Sequence, residues 1–169
     1  MPVRLPASDF SEPREPWDGG PAPVPLVLRV FVAFVLGAAI GIERERRAKA
    51  AGLRTHMLVA AGSAIFTIAS FTILAGEGTL RDTARIAAQI VTGVGFLGAG
   101  AIIRSGNSVS GVTTAASIWV TAAIGMLAGG GAYALAISST ALTVIALRLP
   151  HKRLRPRKRD LDESEDEDA

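Results

Sequence analysis

Between Pro25 and Leu149 the chain is a series of apolar stretches of roughly 17 to 20 residues, separated by short polar breaks. That length matches the ~20 residues a helix needs to cross about 30 Å of hydrocarbon. In lipid, every backbone N–H and C=O must bond within its own segment, so helices are the default spanning element. Apolar and polar residues do not alternate with a period of two, which argues against a β-barrel. The pattern predicts an all-α fold: a polytopic transmembrane bundle of about five helices between disordered tails.

The expected spans are residues 26–42, 57–75, 86–103, 109–127 and 132–149. Residues 1–24 hold six prolines and read as a disordered arm rather than a cleavable signal peptide, since no basic start leads into a short apolar run. Pro150 ends the last span, and residues 150–169 form a tail whose basic block precedes an acidic one. Three segments follow: the arm, a membrane domain over residues 25–149, and the tail. Arg29 lies near the outer end of the first span, where a long side chain can snorkel to the headgroups. Gly37 and Gly41 form a GxxxG pair that admits a close neighbouring helix.

Basic residues in short loops set orientation. With five spans, the first loop, the third loop and the tail share one side. Together they carry thirteen Lys and Arg against five on the other side. This predicts a bacterial inner-membrane protein with its N-terminus outside and its C-terminus cytoplasmic. The basic tail then lies against the anionic leaflet, at about 1 kcal/mol per residue. That makes the lipid bilayer its partner, and no nucleic acid is expected.

Gly93, Gly95 and Gly98 spell GxGxxG, but the dinucleotide fingerprint needs a strand before it and a soluble helix after it. Inside an apolar span, Gly93, Gly95, Gly98 and Gly100 read as helix-packing positions. Asp82, Arg85, Gln89, Gly93, Phe96 and Gly100 fall within roughly 80° of one another on a helix. An acid, a base and an amide on one stripe are costly in lipid, so Asp82, Arg85 and Gln89 are the candidate functional stripe. The bland alternative makes Asp82 a helix cap, Arg85 a snorkelling side chain and Gln89 a packing contact. Thr113, Ser117 and Thr121 form a second small polar face, read as a packing seam. Glu43 follows directly on an apolar run, where an arginine partner is expected.

Other chemistries find little support. There is no cysteine, so thiolate sites and disulfides are absent. His56 and His151 are isolated and read as interfacial residues. No serine has an evident histidine partner with an orienting third group, and no P-loop occurs. The carboxylates near the membrane, Glu43, Glu45, Glu77 and Asp82, divide between two faces, which is thin for a divalent cation path. The expectation is no enzyme, no cofactor and no metal site.

Three segments carry a family resemblance: GAAIGIERERRAKAAGLRTHMLVAAGSAIFT, RIAAQIVTGVGFLGAGAIIR and GVTTAASIWVTAAIGMLAGGGAYALA. They resemble the MgtC/SapB family of bacterial inner-membrane proteins over about residues 30–149. The matching pattern includes Gly41, Glu43 and Arg44, then Gly52, Leu53, Arg54 and Thr55. It continues through Arg85, Gln89, Gly93 and the run from Gly95 to Gly100, to Gly111, Thr113, Thr114 and Ala115. Two departures stand out. Members often have proline at the place of Thr83, and many carry a soluble C-terminal domain where this chain has a charged tail.

The resemblance implies a link to growth in low magnesium and, in some pathogens, to virulence through survival in phagocytes. It further implies modulation of the rotary ATP synthase rather than magnesium transport. The expected mode of action is contact between helices and other membrane proteins, ATP synthase subunits among them, or with further copies of the chain. A small ion transporter or channel with a polar path along the third helix is the alternative.

Overall fold

The computed structural model describes residues 25–72, 83–105 and 108–149. The arm, the tail, Glu77, Asp82 and His151 lie outside them. Five helices follow in order: α1 (Leu26–Arg46), α2 (Leu53–Thr72), α3 (Thr83–Gly100), α4 (Val112–Gly129) and α5 (Tyr133–Arg148). The expected all-α membrane bundle is what the chain forms. Helices α1, α2 (through Ser70) and α4 are long and apolar enough to cross a bilayer, and α5 is a shorter apolar helix.

Several boundaries differ from the sequence expectation by three or four residues: α2 begins at Leu53 rather than residue 57, and α3 spans Thr83–Gly100 rather than 86–103. Helix α1 continues through Glu43 to Arg46, because those charges have partners at the end of the bundle. The fourth helix starts at Val112, not at residue 109. A small antiparallel hairpin precedes it, β1 (Ile103–Ser105) and β2 (Ser108–Ser110), with Arg104 opposite Val109. Gly111 then turns the chain into α4 with φ 88° and sits close against the Ala101 carbonyl, so no side chain fits there.

Helices α1, α2 and α4 pack against one another pairwise. Their contact is nearly all small: Ala33, Ala60, Ala64 and Ala128 are fully buried around Ile40 and Ile124. Lipid removes the hydrophobic drive between helices, so close backbone approach has to supply dispersion instead. A Cβ on Gly37 would lie 2.5 Å from the His56 carbonyl oxygen, and one on Gly129 2.7 Å from that of Ala64. Gly125 is tighter still against Ala60. Helix α5 covers α4 and α1. Helix α3 rests mainly on α4 through Ile90 and Val94, which meet Ile118 and Ala122, and more thinly on α2.

Candidate functional site

Charged residues at the C-terminal end of α1 build a polar junction. Glu43 pairs with Arg44, and its Oε1 lies 2.7 Å from Arg47 Nε. Glu43 and Arg44 are both buried. The arginine partner expected for Glu43 is present twice over. The two guanidinium groups also reach α5: Arg44 Nη2 donates to the Leu147 carbonyl at 3.2 Å, and Arg47 Nη2 to that of Arg148 at 3.2 Å. Those carbonyls end a helix and have no partner within it, so cations there satisfy both the hydrogen-bond and dipole requirements.

Glu45 works on the other neighbour. Its Oε2 accepts from the Leu53 N–H at 2.7 Å, which caps the start of α2. A Cβ on Gly52 would lie 2.7 Å from that same oxygen, so glycine is what lets the carboxylate in. Gly41 meets Leu53 at 2.6 Å by the same measure. The motif Gly41, Glu43, Arg44, Gly52, Leu53 is therefore one piece of architecture. Arg54, from the same motif, points outward and is exposed.

His56 is one of two residues, with Arg29, whose place differs from the sequence expectation. It is fully buried rather than interfacial. Its Nδ1 lies 2.9 Å from the Gly52 carbonyl and its Nε2 lies 3.1 Å from Ser117 Oγ on α4. A carbonyl only accepts, so Nδ1 carries the proton and Nε2 of the neutral ring is an acceptor; the one Ser117 hydroxyl proton is shared between that nitrogen and the Thr114 carbonyl, 2.8 Å from Oγ. Ser117 thus has a histidine partner that was not evident in the sequence, although the other ring nitrogen of that histidine faces a backbone carbonyl rather than a side chain. The two lie 61 positions apart in sequence, and only folding brings them together.

A serine–histidine bond resembles the first half of a hydrolytic triad. Here Ser117 is buried like His56, and neither lines the cavity described below. The pair ties α2 to α4. The buried polar face of α4 is Thr114, Ser117 and Thr121, whereas Thr113 is exposed. The expected seam exists, displaced by one residue at its start. Thr121 Oγ1 returns its proton to the Ser117 carbonyl at 2.7 Å.

Arg29 also departs from expectation. It does not snorkel but is buried, and its Nη1 donates to the Gly129 carbonyl at the end of α4 at 3.2 Å. Helix α1 thereby staples the bundle near both of its ends, through Arg29 at one and Arg44 at the other, about 22 Å apart along the helix.

The α3 stripe is arranged differently. Arg85, Gln89, Gly93, Phe96 and Gly100 are all exposed on the single chain, Phe96 at 82%. Asp82 lies outside the described residues. Nothing would meet a Cβ on Gly93, Gly95 or Gly100 within 4 Å, and Gly98 makes only ordinary contact with Ala115. Of the six glycines expected to pack helices, Gly37 and Gly41 are in close contact within the chain. Gly93, Gly95 and Gly100 are not, because α3 turns only its Ile90–Val94–Gly98 face inward. Between α2 and α3 lies a cavity of about 610 Å³, walled by residues such as Leu58, Gly62, Phe66, Gln89, Gly93 and Leu97. Among the described residues no three His, Asp or Glu side chains gather as a metal site would require.

The segments that build the α1–α2 junction, the α3 stripe and the start of α4 are those that carried the resemblance. The model of the MgtC family matches residues 30–154. The chain belongs to the MgtC family. Among relatives, the chain is 47% identical over 130 residues to YhiD of Escherichia coli K12, provisionally named a magnesium transporter, covering 75% of this chain and 60% of that one. It is 47% identical over 123 residues to Protein MgtC of Salmonella typhimurium LT2, covering 72% and 51%. A Synechocystis protein, slr0014, is 45% identical over 120 residues, covering 71% and 50%. The chain thus spans between half and three-fifths of the length of these curated relatives. No solved structure matches it.

Within this chain Glu43 and Arg44 tie α1 to the end of α5, while Arg85 and Gln89 are exposed.

Proposed function

We propose that this chain is a magnesium-linked, non-enzymatic protein of the bacterial inner membrane that acts by docking α3 against another membrane protein, with ATP synthase subunits as the first partners to test. The observation that carries this reading is the outward face of α3. Arg85, Gln89 and Phe96 share it with the open glycines 93 and 100. Small residues permit close helix approach, and a polar side chain among them gives a partner something to recognise. Magnesium enters through the name of the Escherichia coli relative and the family resemblance. The one buried carboxylate among the described residues, Glu43, already serves two arginines, which supports docking over cation passage.

An outside N-terminus and cytoplasmic C-terminus belong to the same proposal. Arg44 and Arg47 reach the end of α5, so the basic α1–α2 loop and the start of the basic tail share one end of the bundle. That shared end supports the orientation drawn from loop charge.

Crosslinking in native membranes followed by affinity capture tests the reading. Wild type is expected to recover a membrane partner, and Gln89→Leu to lose it at equal protein level. Recovery that Gln89→Leu leaves unchanged removes α3 as the docking face. A deletion strain tested for growth in low magnesium, with survival in host phagocytes where the organism is a pathogen, connects the contact to physiology.

The buried polar side chains His56 and Ser117, bonded between α2 and α4, with Thr121 one turn further along α4, favour a second reading, a small ion transporter or channel. Ion flux in liposomes that vanishes in Ser117→Ala would raise it above the first.

A further inference from the structure

The cavity between α2 and α3 is built by the sequence rather than left by loose packing. Gly62 on one wall and Gly93 on the other have open space where a Cβ would stand. Its lining is apolar apart from Ser63 and Gln89. Apolar cavities do not hold water well, and this one adjoins hydrocarbon. At about 610 Å³ it falls within the ~300–1,000 Å³ of sites that enclose small lipophilic ligands.

The order of residues along one ridge of α3 is the decisive feature. Arg85, Gln89, Gly93 and Leu97 are spaced by four, so they form a single ridge; the last three line the cavity, and Arg85 stands one turn before Gln89, outside the lining. Each step advances about 6 Å along the helix. Read from the start of α3, the ridge offers a cation, then an amide about 6 Å deeper, then a gap, then an apolar side chain. A glycerophospholipid presents the same order: phosphate, ester carbonyls, acyl chain. An amide on a hydrocarbon-facing wall costs free energy without a partner, and an ester carbonyl can accept from it. Arg85 has a contact of its own, but a guanidinium carries five donors and can share them with a phosphate.

We propose that the α2–α3 groove binds one anionic phospholipid, with the phosphate at Arg85, the ester region beside Gln89 and an acyl chain along Gly93 and Leu97. Charge complementarity at Arg85 selects the headgroup. The lipid site shares Arg85, Gln89 and Gly93 with the docking face, so a bound lipid borders or competes with a docked helix; the lipid titration, made on this chain alone, reads the groove independently of any protein partner.

The test is native mass spectrometry of the full chain, stripped of lipid in mild detergent and titrated with phosphatidylglycerol or phosphatidylcholine. One phosphatidylglycerol should be retained in preference to phosphatidylcholine. Arg85→Gln should weaken retention about fivefold, the factor for one basic residue at an anionic surface. Gly93→Leu should abolish retention by filling the groove where nothing now stands, and Gly93→Ala should keep it. Gln89→Leu, which leaves the groove open, should reduce retention without removing it. Equal retention of both lipids overturns the proposal, as does undiminished retention in Gly93→Leu. So does a dimer of the chain that Gly93→Leu dissociates, because the groove would then hold a second copy.

Discussion

The α1–α2–α4 core and helix α3 are built from similar residues and behave as opposites. Both are rich in glycine and alanine, and both carry charge or amide groups near apolar runs. In the core, Gly37, Gly41, Gly125 and Gly129 are pressed on by another backbone, and Glu43 with Arg44 and His56 with Ser117 are tied to partners inside the chain. On α3, three of four glycines in the 93–100 run face open space, and Arg85 and Gln89 point outward. A GxxxG spacing alone therefore says that a helix can be approached, and not that anything in the same chain approaches it. The core keeps the protein folded. Helix α3 offers surface.

The largest effect should come from breaking the ion pair at the junction. Glu43→Gln leaves Arg44 buried without its counter-charge and should cost about 3–5 kcal/mol, seen as loss of folded protein in a denaturant titration in micelles. Near wild-type stability would mean that water reaches the junction and that the contrast with α3 is overstated. Next is overpacking. Gly125→Val drives a side chain into the Ala60 backbone and should cost about 1–3 kcal/mol, checked by the same titration.

Ser117→Ala removes the partner of His56 Nε2 and should cost roughly 1–2 kcal/mol, with faster hydrogen exchange where α2 meets α4. An unchanged exchange rate would show that the tie is not holding the helices. The smallest effect is expected on α3. Gly95→Ala meets nothing, so stability should stay within about 1 kcal/mol and tend upward, as alanine favours a helix by about that amount. A large loss there would show that α3 is packed in the membrane by something other than this chain. That outcome would sharpen the comparison, because the same substitution could then be scored for loss of the partner.

The helices were readable because uncharged length is itself the physical requirement for spanning a bilayer. Glu43's need for arginine was readable for a similar reason: an acid beside an apolar run is too costly alone. The hairpin before α4 was read only as a polar break. The pairing of Ile103 with Ser110 is a contact that no apolar periodicity marks. His56 and Arg29 were placed at the interface because, on their own helices, nothing distinguishes a buried cation or imidazole from a snorkelling one.

What the sequence determined by itself is the class of protein: helices by span length, the charged ends by desolvation cost, and membership of the MgtC family by three ordered segments. What only the tertiary structure decided is which polar groups are structural and which are offered outward. Arg29 and Arg85 are the same side chain near the start of an apolar helix. One finds the terminal carbonyl of α4 and is buried; the other stands beside an open groove. A side chain's own chemistry sets the cost of leaving lipid-facing polar atoms unpaired, but partners up to a hundred residues away decide whether that cost is met inside the chain.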